Sequence, residues 1–326
     1  MPTAFVTGGS GFIGGALIER LRKEGWAVRA LARSERAAER VRERGAEPVS
    51  GDLDAHDSLR AGAEGSDVTF HAAAALGDWG DPAEFERVNV AGTANVIAAC
   101  RAAKVPRLVH VGTEAALMAG EPLVNVNEDA PLRPDSPALY SATKAKAELR
   151  VRAANRDGLE TVVIRPRFVW GRGDTTLLPA ITELVRSGRF RWIGRGTHLS
   201  ATTHVDNTIE GLWLGATKAR AGGVWFVTDG EPVVFREFVS RMLETQGVTP
   251  PAKSVPQAVA RAAAPASERA WRLLGRGGHP PITRFATWLA SQECTIDISR
   301  AKRDLGYRPV KTREEGLAEL AAVARA

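Results

Sequence analysis

Short apolar runs recur along the first half of the chain, at 3–7 (TAFVT), 26–31, 67–71, 107–112 and 160–164, with a weaker one near 47–49. Between them lie longer stretches, 12–24, 34–45, 82–103 and 138–156, whose charged residues fall along one side. Short, nearly all-apolar strands need cover on both faces, and amphipathic helices between them supply it. The pattern predicts an α/β fold built on a doubly wound parallel sheet, the Rossmann arrangement, with ligand bound beyond the carboxyl ends of the strands. After Arg165-Pro166 the rhythm loosens. Helical patterns at 175–187, 207–218 and 235–246 mix with short strands near 190–193 and 223–227. An Ala/Arg-rich stretch at 255–274, interrupted by Pro265, precedes a turn-rich segment at 275–281. We expect residues 1–170, rejoined by 201–228, to form the sheet domain, and 171–200 with 229–326 to form a smaller, partly helical substrate-binding cap.

Composition narrows the class without naming a function. The 326 residues are 44% hydrophobic and 25% charged, with 44 basic against 38 acidic side chains and a net charge of +6, as in an ordinary globular protein. Cys100 and Cys294 have no ligand-like spacing, which argues against a zinc site or a disulfide framework and fits a reducing cytoplasm. Neither a secretory leader nor a membrane-spanning run is apparent, although peripheral membrane contact stays open. No nucleic-acid motif or aromatic interleaving accompanies the basic residues, so the expected partner is a small molecule.

The strongest local signal is Thr7-Gly8-Gly9-Ser10-Gly11-Phe12-Ile13-Gly14, between the first strand and the first helix. Gly8 and Gly11 permit a tight turn and close approach of a pyrophosphate, Gly14 permits close helix–strand packing, and the helix amino terminus faces the anion. Arg33 stands 19 residues past Gly14, where an acid would bind the ribose hydroxyls of NAD. Arginine there favours NADP(H), with NAD(H) still possible; the bland alternative is a solvated cation at a helix start.

Tyr140 and Lys144 are one helical turn apart. A phenol with a pKa near 10 is a poor acid or base at neutral pH, and a lysine on the same face favours the phenolate and brings that value down. Thr113 is the one hydroxyl residue between the fifth strand and Asp129.

These motifs are similar to those of the extended short-chain dehydrogenase/reductase superfamily, the NAD-dependent epimerase/dehydratase group. The likeness continues through Gly51-Asp52-Leu53, His71-Ala72-Ala73, Asn89 to Thr93, Arg165-Pro166 with Val169-Trp170-Gly171, His204-Val205-Asp206 and Leu305 to Pro309. The resemblance implies cofactor contacts from Thr7, Gly8, Ser10, Gly11, Phe12, Ile13, Gly14, Arg33, Asp52, Leu53, Ala72, Ala73, Lys144 and Pro166. It also implies hydride transfer between a nicotinamide and a carbonyl carbon, with Tyr140 giving the proton and Thr113 and Lys144 as its catalytic companions, and a homodimer formed through the 82–103 and 138–156 helices.

Within the superfamily the chain most resembles the 3β-hydroxysteroid dehydrogenase and dihydroflavonol reductase-like branch. Ser200 stands where nucleotide-sugar enzymes usually carry a diphosphate-gripping arginine, and the Pro280 to Phe285 stretch leans the same way. The resulting expectation is an oxidoreductase acting on a ketone or secondary alcohol of an apolar, sterol- or β-keto-like molecule. A nucleotide-sugar epimerase or dehydratase is the alternative, and a non-catalytic NADP-binding regulator is the reading from another class. Trp79, Glu114 and Trp170 are candidates to border the substrate; His110 reads as a satisfied core histidine, and no metal site is expected.

Overall fold

The computed structural model describes residues 1–275 and 277–325; Arg276, within the 275–281 turn, and Ala326 lie outside the described residues. Seven parallel strands form the main sheet: β1 (Thr3–Thr7), β2 (Ala27–Ala32), β3 (Glu47–Ser50), β4 (Val68–His71), β5 (Arg107–Val111), β6 (Glu160–Pro166) and β7 (Val224–Val227). Their spatial order is β7-β6-β5-β4-β1-β2-β3. The order reverses at β1, beside β4, and the crevice at such a reversal is where doubly wound sheets bind ligands.

Two apolar layers sandwich this sheet. On one face, α1 (Phe12–Lys23) and α2 (Glu35–Glu43) bury Leu17, Ile18, Leu21 and Val41 together with Ile209 and Leu212 of α7 (Val205–Thr217). On the other, α3 (His56–Ala63), α4 (Gly92–Ala102) and α5 (Leu139–Ala153) bury Leu59, Val96, Cys100 and Val151. The continuous helix expected over 82–103 is divided: one turn at Pro82–Phe85 and a π-helical stretch at Glu86–Ala91 lead into α4.

The cap contains α6 (Leu177–Arg186), α8 (Phe235–Thr245), α9 (Gln257–Leu273), α10 (Arg284–Ser291) and α12 (Arg313–Val323). Its small sheet orders Val233–Val234, Leu199–Ser200, Cys294–Ile296 and Leu123–Val126 side by side. The expected division therefore shifts in two places. Residues 123–126 leave the first segment to pair with the cap strand, Cys294 opposite Leu123. Conversely, α11 (Ser299–Leu305) and Tyr307 return to the main core, where the Tyr307 hydroxyl donates to the Thr228 carbonyl at 2.9 Å. Neither exchange shows in local periodicity, because both are long-range pairings.

α9 is a cap helix with one packed and one open side. Ala260 and Ala264 are buried, whereas Val259 and Leu273 remain exposed. None of the described helices is long and apolar enough to cross a membrane.

Candidate active site

The glycine turn has the shape a dinucleotide needs. Gly8 holds a φ of +76°, and a Cβ there would stand 2.7 Å from the Ala73 nitrogen. A Cβ on Gly14 would lie 2.2 Å from the Gly8 carbonyl oxygen, so any side chain would drive α1 off the turn. Gly11 begins α1 with no side-chain cap, leaving the first helical N–H groups free for an anion. Ser10, Phe12 and Ile13 sit half-buried around this opening.

Neighbouring strand ends complete the cradle. The Thr7 hydroxyl bonds His71 Nδ1 at 2.7 Å, and the Ala72 N–H donates to the Thr7 carbonyl at 3.2 Å. Leu53 is buried against Gly92, Asp52 is exposed, and Pro166 is buried at the end of β6. Arg33 is exposed just past β2; the Glu84 carboxyl, held below its ordinary range chiefly by its hydrogen bond from Arg87, also feels the Arg33 charge. The cradle fits a dinucleotide.

Three elements bring the reactive groups together. β5 ends at Val111, and the next turn carries Thr113, which caps a short 3-10 helix by accepting from the Ala115 N–H at 3.1 Å. α5 presents Tyr140 and Lys144. The Tyr140 hydroxyl meets the Thr113 side chain, and the Thr113 hydroxyl donates to Glu114 Oε2 at 2.8 Å. Lys144 is buried, and its ammonium donates to the Val111 carbonyl at 2.8 Å.

The electrostatics correct one expectation. Burial and the neighbouring Glu114 carboxylate push the Tyr140 phenol above its ordinary pKa, against a smaller lowering from Thr113. Lys144 does not bring the phenol down here: its ammonium points into the Val111 carbonyl and is itself lowered to about 8, chiefly by burial. Burial likewise raises the Glu114 carboxyl, opposed by Arg167 and Thr113.

Two histidines lie close to this centre. His71, bonded to Thr7 and to Thr93, is lowered to about 3 by burial and then by Lys144. His110 is buried as expected but is not satisfied: neither ring nitrogen has a hydrogen-bond partner among the described residues. Its ring centre lies 5.2 Å from that of His71.

Some residues near the site were missed by sequence reasoning, and others moved. Asn89, quoted only as part of a motif, accepts from the Ala75 N–H at 2.7 Å and donates to the Thr143 hydroxyl at 3.0 Å. It thereby ties the loop after β4 to the tyrosine helix from within the π-helical stretch, a distortion often found at functional sites. Phe285 of α10 stands edge-on to Tyr140 at 5.5 Å, and Trp288 and Met118 share that cluster. Glu114 falls directly behind Thr113. Trp170 is instead fully buried, donating to Asp229 at 2.8 Å and packed on Phe238. Trp79 lies under the Arg272 guanidinium of α9. His204, Asp206 and Glu319 approach one another, but the Lys311 ammonium already pairs with Glu319 at 2.5 Å.

The model of the 3-beta hydroxysteroid dehydrogenase/isomerase family matches residues 5–257. The chain belongs to that family. As a member it is an NAD(P)-dependent oxidoreductase working between a carbonyl and the corresponding alcohol. Among its relatives is a 4-hydroxy-2-methyl-3-oxo-4-farnesyl-3,4-dihydroquinoline-1-oxide ketoreductase from Stigmatella aurantiaca, 46% identical over 96% of this chain and 94% of the relative. A 2-alkyl-3-oxoalkanoate reductase from Stenotrophomonas maltophilia is 40% identical over 97% and 98% of the two chains. The solved structure "MoeE5 in complex with UDP-glucose and NAD" superposes with a TM-score of 0.76 at 25% identity, covering 99% of this chain and 98% of that one. The two reductases favour the carbonyl-reducing reading over the nucleotide-sugar one.

Proposed function

We propose that this family member is an NADP(H)-preferring ketoreductase for an apolar carbonyl compound, with Tyr140 as proton donor and Thr113 as the hydroxyl that holds the carbonyl oxygen. The observation that carries this is the Thr113–Tyr140 contact, which brings the hydroxyl just past β5 onto the phenol of α5. The nicotinamide supplies the hydride equivalent when bound. Phe285, Trp288 and Met118 around the tyrosine suit an apolar substrate and exclude water from the proton transfer. Lys144, one turn past Tyr140 on α5 with its ammonium at the Val111 carbonyl, is the residue to hold the nicotinamide ribose. We further propose a homodimer through α4 and α5, where the exposed Leu149 gives an apolar contact; sedimentation at micromolar concentration should return twice the 34.9 kDa chain mass.

The test is reduction of a panel of apolar β-keto compounds set against UDP- and dTDP-sugars, followed by NADPH fluorescence. Tyr140→Phe should leave NADPH affinity within about 2-fold and lower turnover by about 100-fold or more, the range for losing a general acid. Unchanged turnover would remove Tyr140 from the mechanism, and conversion of a nucleotide sugar alone would overturn the substrate class. Arg33→Asp should narrow or reverse the NADPH over NADH preference; a wild type that prefers NADH would defeat the Arg33 argument.

A further inference from the structure

Arg167 follows directly on the sheet edge, one residue past the end of β6, and is 1% exposed. Nε, Nη1 and Nη2 all lack a hydrogen-bond partner among the described residues. The groups around the guanidinium are few: Glu114 Oε1 at 3.7 Å from Nε, the Cys294 thiol, and the Phe168 ring at 5.5 Å. His198 also feels its charge, and the Nε2 of that ring is another buried atom without a partner.

A buried guanidinium without an acceptor costs several kcal/mol on the order of the values for buried ions, so its retention asks for a reason. Slack packing does not supply one. The Arg167 backbone is pinned on both sides, its N–H donating to Thr203 Oγ1 at 3.1 Å and its carbonyl accepting from that hydroxyl at 2.8 Å. The next residue, Phe168, holds a left-handed φ of 45°, a conformation that a bulky side chain adopts only when its surroundings enforce it. The backbone under the cation is thus held firmly, and its Nη1 and Nη2 have no hydrogen-bond partner among the described residues. It also stands one residue's reach from the reacting centre, through Glu114 to Thr113 and from Thr113 to Tyr140.

We propose that Arg167, flanked by His198, binds a carboxylate of the substrate, so that the carbonyl two carbons away from that carboxylate comes to rest on Tyr140 and Thr113. The substrate is then a 3-oxo acid with an apolar remainder, whose carboxylate is taken by the Nη1/Nη2 fork in the two-point geometry that guanidinium groups offer such anions. Glu114 stays on the Nε side, hydrogen-bonded to Thr113, and the apolar remainder extends along Phe285, Trp288 and Met118 beside Tyr140. This inference rests on the ketoreductase reading and adds the group that orients the substrate.

The experiment runs the cofactor-loaded enzyme in the oxidative direction, which avoids the spontaneous loss of CO2 from free 3-oxo acids. The probes are a long-chain 2-alkyl-3-hydroxyalkanoic acid and its methyl ester, read at 340 nm with NADP+ or NAD+. Wild type should favour the acid over the ester by about 100-fold or more in kcat/KM, because a site built to bond a polar group strongly rejects the analogue lacking it. Arg167→Met should cut kcat/KM for the acid by about that factor, change the ester by less than about 3-fold, and keep or raise the melting transition. Arg167→Lys, which keeps the charge but loses the fork, should fall between them. Decanoate should compete with the acid in wild type and not in Arg167→Met. If wild type turns over acid and ester alike, or the methionine variant loses both equally, the carboxylate subsite is wrong while the ketoreductase stands. If neither probe is oxidised and no β-keto ester is reduced, both readings fall together.

Discussion

Between β6 and α5, a buried arginine is bonded to its acid through two of its three nitrogens; two residues further along, at the edge of the cap, a second buried arginine has no such bond. Arg165 and Glu148 are both 0% exposed and joined by two hydrogen bonds, one of 2.9 Å from Nε and a short one from Nη2. Arg167 sits 3.7 Å from Glu114 with no hydrogen bond at all. The first pair locks the tyrosine helix onto the sheet. The second leaves both partners available, the carboxylate to Thr113 and the cation to whatever enters the cap. Burial alone therefore does not mark a charge as structural or functional; the completeness of its pairing does.

The largest effect expected from this contrast is on stability. Arg165→Met leaves Glu148 buried with only the distant Arg152 guanidinium at 4.0 Å and should cost about 3–5 kcal/mol, as for other broken buried pairs, measured by urea denaturation. Adding Glu148→Leu should recover most of that loss, because the stranded charge is then gone. Arg167→Met should not destabilise and should stabilise by about 1–4 kcal/mol, since the unpartnered buried cation is gone and Glu114, already pushed towards its neutral form, can take up a proton. Equal losses from the two arginine variants would erase the distinction.

Lys144 offers a second comparison, a buried cation with a carbonyl for company. Its folded-state pKa of about 8 lies below the ordinary 10.5, so the unfolded chain holds the proton more tightly. The burial cost is then full below pH 8 and is relieved as pH rises from 8 to 10.5. Lys144→Met should accordingly be more stable than wild type near pH 7, and that advantage should shrink by about 3 kcal/mol across this window. A gap that does not change with pH would mean that the ammonium is better solvated than its burial implies.

These contrasts also explain what could be read in advance. The glycine turn, Tyr140, Lys144 and Thr113 are legible because each is tied to a strand end by short-range spacing, and the alternation of apolar runs locates those ends. Asn89 was present as a motif but not as a contact, since a π-helical stretch leaves no trace in a helical repeat. Glu114 was noticed for its neighbour, and Arg167 not at all. Its significance comes from Cys294, His198 and Thr203, which approach it only through the cap sheet and the segment around β6. Trp170 looked like a border residue by sequence position, but the long-range bond to Asp229 draws it into the core.

The smallest effect, and the most specific in pH, belongs to His110. Its ring makes no hydrogen bond among the described residues and is held neutral by burial first, then by Lys144 and His71. Because its folded-state pKa lies well below 6.5, only the unfolded chain gains a proton there on mild acidification, and stability falls as pH drops below 6.5. His110→Phe removes that linked proton while filling nearly the same space. At pH 7.5 it should change the unfolding free energy by less than about 1 kcal/mol, as no bond is lost. Below pH 6.5 its decline should be shallower than that of wild type by up to about 1.4 kcal/mol per pH unit. His71 keeps its bonds to Thr7 and Thr93 in both proteins and supplies the acid sensitivity that remains. Parallel acid profiles for the two proteins would show that the His110 ring is protonated in the fold, and would require an acceptor next to it that the packing around β5 does not provide.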